Sequence, residues 1–225
     1  MTFGEKVIAY CKSIPKPEKL PEGVEVLYPF NTPKVMGLVR QFCERFYAGR
    51  QPRTFLIGIN PGRFGGGSTG IPFTDPLRLE SELGITNDMD KKPELSSRFV
   101  YEMIGALGGP EEFYRQFYIT SVSPVGFTKD GKNLNYYDIK ELQETLEPYM
   151  ISELKKQIEL GANPVAYSLG MGKNIAYLNK INKEHGLFEA IEPLPHPRWI
   201  MQYRLKRKDE FIRLYEEKLL RTEYI

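Results

Sequence analysis

Two short segments, far apart in the chain, carry side chains that could take part in polar catalysis. The first, GINPGRFGGGSTGIPF, starts at Gly58 and places Asn60 directly after a short apolar run. The amide of Asn60 could orient a water molecule or the edge of a base. The second, LPHPRW, holds His196 between two prolines, which stiffen the chain and suit a group that must meet a substrate at fixed geometry. These segments are the first candidates for an active site.

Each candidate also has an ordinary structural explanation. Asn60 could cap the turn after a strand, Phe73 could be a core residue instead of an aromatic face for a ligand, and His196 could be structural. The other histidine, His185, lies in a Lys-Glu-His-Gly sequence, which favours a surface position at a helix C-terminus. At the level of single residues these alternatives stay open.

The glycine-rich loop after Asn60 contains a literal G-x-G-x-x-G at Gly65, Gly67 and Gly70. A dinucleotide-binding loop must open a helix, yet Pro72 and Pro76 follow closely, and no Gly-Lys-Ser/Thr follows for a phosphate-binding loop. A nucleotide-utilising enzyme is therefore only a minor alternative. Tight binding of a mononucleotide without DNA affinity would favour it.

Composition indicates one ordinary globular domain, residues 1–225, with 41% hydrophobic and 27% charged residues. Two cysteines, Cys11 and Cys43, cannot supply a four-thiolate site, so we expect reduced thiols and no metal. The N-terminal segment does not resemble a secretion signal and no run is long enough for a membrane helix. We therefore expect a cytoplasmic monomer without membrane contact.

The net charge of +2 neither requires nor excludes a nucleic-acid partner, but the distribution of charge is informative. From Arg198 to Lys208 the chain has the sequence RWIMQYRLKRK, with five basic residues in eleven and with Trp199 and Tyr203 between them. A solvated helix face explains the charge equally well. Contacts with phosphates need support from other features.

Alternating strand and helix patterns predict the elements that must position these residues. Four apolar runs predict strands at Arg53–Ile59, Gln116–Val122, Pro164–Leu169 and Leu187–Ile191. Helical periodicity predicts a helix capped by Asn31, then Ser96–Leu107, Tyr137–Leu160 broken or kinked at Pro148, Lys173–Lys183 and Tyr203–Arg221. The pattern favours an α/β fold, a three-layer α/β/α sandwich around a four-stranded, mainly parallel sheet. The polar segments at Asn60, Ser121 and Pro193–Arg198 then share the carboxyl edge of the sheet, where such folds bind ligands.

Together the motifs resemble one family. G-I-N-P-G-x-F-G...T-G-I-P-F, from Gly58 to Phe73, and the late H-P with basic residues are similar to G-M-N-P-G-x-F-G...T-G-V-P-F and H-P-S-P-R of the single-strand-selective monofunctional uracil-DNA glycosylases (SMUG). S-V-S-P-V-G-F, followed by D-G-K-N-L, resembles N-x-C-P-L...G-K-N of that family. The resemblance extends in order from about residue 53 to 200 and is closer to a bacterial branch than to the animal enzyme.

The resemblance implies a monofunctional DNA glycosylase that acts in base excision repair, with DNA as its partner and with no cofactor. It implies that Asn60 positions the hydrolytic water and that His196 bonds a base carbonyl. Phe73 would stack on the extruded base, Gly62 would lie against it and Ser121 would face its edge. The residues implied as DNA contacts are Lys132, Asn133, Arg198 and Arg204.

Three departures from the family pattern affect substrate choice. Ser121 stands where the family has a base-reading Asn, the H-P-S-P-R segment is shortened to H-P-R, and the segment from Pro72 to Ser97 is longer. With one hydroxyl in place of an amide, we expect weaker discrimination between bases, so that deaminated purines could be accepted besides uracil or 5-hydroxymethyluracil. A second hypothesis is a catalytically weak or inactive relative that binds damaged DNA without cutting.

Overall fold

The computed structural model describes residues 1–220 as an alternation of helices and strands. The helices are α1 (Phe3–Ser13), α2 (Pro33–Phe46), α3 (Gly66–Thr69), α4 (Pro76–Ser81), α5 (Leu95–Ala106), α6 (Pro110–Gln116), α7 (Lys140–Ile158), α8 (Lys173–His185), α9 (Pro197–Tyr203) and α10 (Lys208–Leu220). The strands are β1 (Val24–Leu27), β2 (Arg53–Gly58), β3 (Phe117–Ser121), β4 (Gly126–Lys129), β5 (Lys132–Leu134), β6 (Ala162–Leu169) and β7 (Ala190–Leu194). Short 3-10 turns at Pro29–Asn31 and Leu205–Arg207 precede α2 and α10.

The central sheet has the order β3-β2-β6-β7 and is parallel throughout. Helices cover both of its faces, as two consecutive residues of β6 demonstrate. The hydroxyl of Tyr167 donates to the carbonyl of Lys218 in α10 at 2.8 Å, whereas Ser168 bonds Asn174 in α8 at 3.2 Å. Because successive strand residues point to opposite faces, α8 and α10 lie on opposite sides. The predicted three-layer α/β/α sandwich is therefore confirmed.

A second, antiparallel sheet with the order β1-β4-β5 was not predicted. Asp130 and Gly131, which connect β4 to β5, both have positive φ, at 51° and 67°. An Asp-Gly pair favours such a two-residue hairpin turn, so the signal was present in the sequence. The hairpin matters for function because it brings the segment after β5 next to Asn60.

Several predicted boundaries are wrong. The fourth strand of the main sheet is Ala190–Leu194 instead of Leu187–Ile191, so it extends to the histidine motif. Helix α7 continues through Pro148, so the helix is not broken there, and the N-cap residue of α2 is Thr32, one residue after Asn31. The predicted helix from Tyr203 is divided by the 3-10 turn, and its predicted last residue, Arg221, lies outside the described residues.

Candidate active site

A pocket of about 620 Å³, including its open mouth, lies at the carboxyl edge of the main sheet. It is formed by the ends of β2 and β3, the glycine-rich loop, the segment around β5 and the start of α9. Its lining includes seven of the predicted site residues, namely Asn60, Gly62, Phe73, Ser121, Asn133, His196 and Arg198. The two motifs that are distant in sequence therefore meet at one pocket.

Both ends of the Asn60 amide are held by the backbone after β5. Its Nδ2 donates to the carbonyl of Leu134 at 3.1 Å, and its Oδ1 accepts from the N–H of Tyr136 at 3.0 Å. These partners are distant in sequence, so the side chain does not merely cap its own turn. Each end keeps one free hydrogen-bonding position, since an amide has two donors and two lone pairs. The orientation of the amide towards the pocket is thereby fixed.

His196 is held as a neutral imidazole. It is the N-cap of α9, and its Nδ1 accepts a hydrogen bond from the N–H of Arg198 at 3.1 Å. An Nδ1 that accepts must be unprotonated, which assigns the proton to Nε2. Burial, and secondarily the charge of Arg198, lower the pKa of His196 to about 4. His196 can therefore donate one hydrogen bond without carrying a charge.

The segment before α9 is held by a contact with α10. The buried hydroxyl of Tyr215 in α10 donates to the carbonyl of Pro195 at 2.5 Å, and Pro197 begins α9. A proline at the first helical position has a preset φ and no unsatisfied N–H. The imidazole of His196 is thus attached to a rigid turn, as the flanking prolines predict.

Phe73 forms an aromatic wall of the pocket and also packs against the hydrophobic core. Its ring centroid lies 6.0 Å from that of His196, and a Cβ on Gly58 would approach its Cε2 to 3.1 Å. Its φ is +51°, which is unusual for a bulky residue and costs energy. The buried side chain of Thr69, which donates to the carbonyl of Thr74 at 2.7 Å, helps to hold this backbone. Such strain at a pocket is typical of a functional position.

Gly62 and Ser121 also line the pocket. The carbonyl of Gly62 accepts from the N–H of Gly67 at 2.9 Å, which closes the glycine-rich loop on itself. The hydroxyl of Ser121 donates to the carbonyl of Ser123 at 2.7 Å. Since its proton is used, the Ser121 oxygen can only accept a hydrogen bond from a ligand.

Asn133 holds the first motif in place. Its Oδ1 accepts from the N–H of Arg63 at 3.1 Å, so this side chain has a structural partner at the pocket. Lys132 is exposed and lines an outer cleft next to the pocket, together with Arg63 and Arg198. Contacts of Lys132 and Asn133 with DNA stay predictions.

The basic segment from Arg198 to Lys208 is not one solvated helix face. Arg198 is exposed and lines the pocket and both neighbouring clefts. The guanidinium of Arg204 lies 4.8 Å from the ring centre of Trp199, outside the pocket lining. Arg207 and Lys208 pair with Glu210 and Glu102, and are engaged within the fold. Only the first part of the segment therefore faces the pocket.

The sequence analysis did not predict every polar residue of the pocket, and Glu94 and Asn135 are among those it missed. Asn135 follows β5 in the sequence K-N-L-N, and no spacing rule pointed to it. Glu94 ends the long insert, where a charged residue beside Pro93 was the only signal. Burial, then the charge of Asp75, raise the pKa of Glu94 to about 7, while Arg198 acts in the opposite direction.

The described part of the chain was also searched for metal-binding and membrane features. Within residues 1–220, no cluster of three or more His, Cys, Asp or Glu side chains could hold a metal ion. No helix in that range combines the length and apolarity needed to cross a membrane. Cys11 and Cys43 are buried free thiols.

Comparisons with known proteins point to one superfamily. The model of the Uracil DNA glycosylase superfamily matches residues 45–220. Among solved structures, the crystal structure of wild-type SMUG2 from Pedobacter heparinus is similar, with a TM-score of 0.96 and 41% sequence identity. That match covers 100% of both chains. No curated protein sequence matches.

Proposed function

The chain belongs to the uracil DNA glycosylase superfamily, and from this premise we propose that it is a hydrolytic DNA N-glycosylase that releases uracil or a related damaged base. The observation that carries the proposal is the pocket in which Asn60 and His196 lie with Phe73 and Ser121. Chemistry on a base within DNA requires such a pocket, because the target bond cannot be reached inside the stacked duplex.

The reaction breaks the bond between C1′ of the deoxyribose and a base nitrogen. The electron pair leaves with the base, which becomes anionic, while C1′ gains oxocarbenium character. A water oxygen then bonds to C1′ and loses a proton to solvent, and a proton from solvent neutralises the anionic base. A catalyst accelerates this step only through interactions that are stronger in the transition state than in the substrate.

Asn60 is proposed to position the water. Its amide is fixed by the backbone at Leu134 and Tyr136, and the remaining lone pair on Oδ1 can accept from the attacking molecule. A water molecule held at the correct place and angle has less orientational freedom to lose in the transition state.

His196 is proposed to stabilise the leaving base. Its neutral Nε2–H can donate to a base carbonyl, on which negative charge accumulates as the bond breaks. A fixed donor of this kind contributes roughly 3 to 4 kcal/mol, or two to three powers of ten in rate. Since the imidazole stays neutral until about pH 4, this donor needs no proton uptake at physiological pH.

The other site residues are proposed to hold the nucleotide. Phe73 stacks on the base, Gly62 lies against it, and the Ser121 oxygen accepts from its edge. Arg198, Lys132, Asn133 and Arg204 contact DNA beside the pocket, or Arg198 enters the vacated stack. No lysine occurs among the described residues that line the pocket, which favours hydrolysis over a Schiff-base mechanism.

The family match and the similar solved structure do not favour a relative that binds damage without cutting. A single domain, a monomeric state and a cytoplasmic location stay part of the proposal. Preference among damaged bases follows from the single Ser121 hydroxyl, which we expect to discriminate less than an amide.

Base release from an oligonucleotide that contains uracil tests the proposal directly. Under single-turnover conditions, Asn60→Ala and His196→Ala should each reduce the rate at least about tenfold. His185→Ala is the matched control, because this exposed histidine ends α8 away from the pocket. Near-normal rates in both site variants would remove the assigned roles, and no release by the unmodified protein would remove the activity. Circular dichroism checks folding, since Asn60→Ala also loses two backbone contacts.

A further inference from the structure

Two buried polar side chains near the pocket take no part in the proposed mechanism, those of Tyr136 and Asn174. Tyr136 follows β5, and Asn174 is the second residue of α8. At most 1% of either residue is exposed, and neither lines the pocket. They cannot contact a base there, so any effect on the reaction must pass through another residue.

These two side chains complete a ring of hydrogen bonds that includes Asn60. The hydroxyl of Tyr136 donates to Oδ1 of Asn174 at 3.0 Å. Nδ2 of Asn174 donates to the carbonyls of Ile57 and Gly58, at 3.2 and 3.4 Å. Two residues after Gly58 comes Asn60, whose Oδ1 accepts from the N–H of Tyr136 at 3.0 Å. The ring therefore ties the end of β2 to the segment after β5, with the amide of Asn60 between them.

The need to satisfy buried backbone groups does not explain Asn174. The carbonyl of Gly58 already accepts from the N–H of Val122 at 3.0 Å. The two amide hydrogens of Asn174 are shared among three acceptors, since its Nδ2 also lies 3.2 Å from the hydroxyl of Ser168. A buried network of mutually bonded polar groups of this kind favours one arrangement of the chain. What it fixes here is the position of β2 relative to the segment after β5.

Tyr177 provides an internal comparison for the hydroxyl of Tyr136. The two rings are in contact, with centroids 5.2 Å apart. Burial raises the pKa of both phenols, so each keeps its proton. The hydroxyl of Tyr177 is buried and has no hydrogen-bond partner within residues 1–220, whereas that of Tyr136 is bonded to Asn174. A change from Tyr to Phe thus breaks the ring of hydrogen bonds at position 136 and breaks none at position 177.

We propose that Tyr136 and Asn174 are positioning residues, which fix the orientation of the Asn60 amide without touching the substrate. The inference rests on the proposed function, in which Asn60 holds the attacking water. Without the Tyr136 hydroxyl, the segment after β5 is released from β2, so its N–H no longer holds Oδ1 of Asn60 at one angle. A small misplacement of a group that orients a reactant slows the reaction. The chemical step should therefore slow while the affinity for DNA stays unchanged.

Single-turnover release of uracil at saturating protein concentration separates the chemical step from binding. The rate is measured for the unmodified protein, Tyr136→Phe, Asn174→Leu and the control Tyr177→Phe. Affinity is measured with an oligonucleotide that contains 2′-fluoro-2′-deoxyuridine, because the electron-withdrawing fluorine disfavours positive charge at C1′ and suppresses hydrolysis. The same three changes are also made in an Asn60→Ala background, where no amide remains to be positioned.

Tyr136→Phe should release uracil roughly tenfold more slowly, with its affinity for the fluorinated oligonucleotide within about twofold. In the Asn60→Ala background the same change should slow release by less than about twofold, as should Tyr177→Phe in either background. Asn174→Leu breaks the ring at its other member, so it should behave as Tyr136→Phe does and tests the inference if that variant fails to fold.

An unchanged rate in Tyr136→Phe, an equal loss with and without the Asn60 amide, or an equal loss in Tyr177→Phe would overturn the inference. Equal losses in both backgrounds are what a merely structural role of the hydroxyl would produce. Absence of uracil release by the unmodified protein would instead overturn the proposed function.

Discussion

His196 illustrates how a single hydrogen bond at the residue scale decides the protonation state of a proposed catalytic group. The N–H of Arg198 occupies Nδ1, so the side chain can gain a second proton only by losing that bond. Burial and the adjacent guanidinium charge act in the same direction. The result is a neutral imidazole that donates a hydrogen bond. This protonation state could not be predicted from the sequence, which shows only a histidine between two prolines.

We predict that His196 does not titrate between pH 8 and 5. In a His185→Ala variant His196 is the only histidine, so its NMR signals can be followed without ambiguity. They should shift with a midpoint of about 4, because the folded-state pKa lies below the usual 6.5. A midpoint near 6.5 would contradict the buried, neutral state.

The same pKa has a consequence for stability. The folded-state pKa is lower than the unfolded-state value, so the unfolded chain binds more protons between these values. The contribution of neutral His196 to the free energy of unfolding is thus complete above pH 6.5 and is lost as the pH falls towards about 4. Glu94 has a raised pKa, so its effect is opposite: the free energy of unfolding decreases as the pH rises from 4.5 towards 7. Urea unfolding of the unmodified protein and of His196→Asn at pH 7 and 5 would separate the two effects.

A second residue-scale prediction concerns Gly58, which leaves room for the ring of Phe73. In Gly58→Ala the added Cβ would lie 3.1 Å from Cε2 of Phe73 and 3.3 Å from the carbonyl oxygen of Thr120. The ring must shift by a few tenths of an ångström, and we expect base release to slow about three- to tenfold, with about 1 to 3 kcal/mol lost from the free energy of unfolding.

Gly37→Ala is the control for this variant. Gly37 lies in α2 and has open space where a Cβ would be added, so it should be neutral or slightly stabilising. If Gly58→Ala releases base as fast as the Gly37→Ala control, Phe73 does not act as a fixed wall.

At the scale of elements, the sequence predicted the strands that end at the pocket. It did not predict the hairpin and the glycine contacts that position the residues around it. The apolar run before Asn60 and the histidine motif both identify strand ends, because parallel strands are buried on both faces. The hairpin that fixes Asn60 was missed, since Leu134 and Tyr136 act through their backbone and any residue could supply these bonds. Glu94 was missed for a similar reason. Its side chain occupies space left by Gly65 and Gly62, which precede it in the chain by 29 and 32 residues.

The insert between Phe73 and α5 is tied together by one carboxylate, that of Asp75. Its Oδ1 accepts from the N–H of Arg78 at 2.9 Å, while its Oδ2 accepts from the N–H of Glu94 at 2.9 Å and from the hydroxyl of Ser97. Asp75 thus caps α4 and α5 and closes the loop between them. We predict that Asp75→Ala lowers the free energy of unfolding by about 2 to 4 kcal/mol, as measured by urea unfolding.

Asp88→Ala in the same insert is the control, because its ion pair with Lys34 is exposed to solvent and should contribute little to stability. Limited proteolysis should cut between residues 76 and 93 sooner in Asp75→Ala than in the control. Equal stability and equal cleavage of the two variants would show that the insert does not depend on this carboxylate.

At the scale of the whole molecule, the charges that sum to +2 are distributed unevenly over the surface. The clefts on the two sides of the pocket are lined by the cations Arg63, Lys132, Lys173 and Arg198. Trp199 and Tyr203 are exposed at the same surface, with 39% and 60% of their area accessible. Cations with aromatic side chains between them suit a nucleic-acid strand, and the fold adds Arg63, Lys132 and Lys173 to the segment that begins at Arg198.

This arrangement predicts that Arg198 contributes to DNA binding mainly through phosphate charge. Arg198→Ala should weaken duplex binding and lower the slope of log affinity against log salt concentration by about 0.9, because one fewer counterion is released. Arg50→Ala is the control, since this exposed arginine precedes β2 at the opposite edge of the sheet. Fluorescence anisotropy across a salt series measures both slopes. A slope unchanged by Arg198→Ala, or lowered equally by Arg50→Ala, would mean that the pocket mouth is not where the phosphates bind.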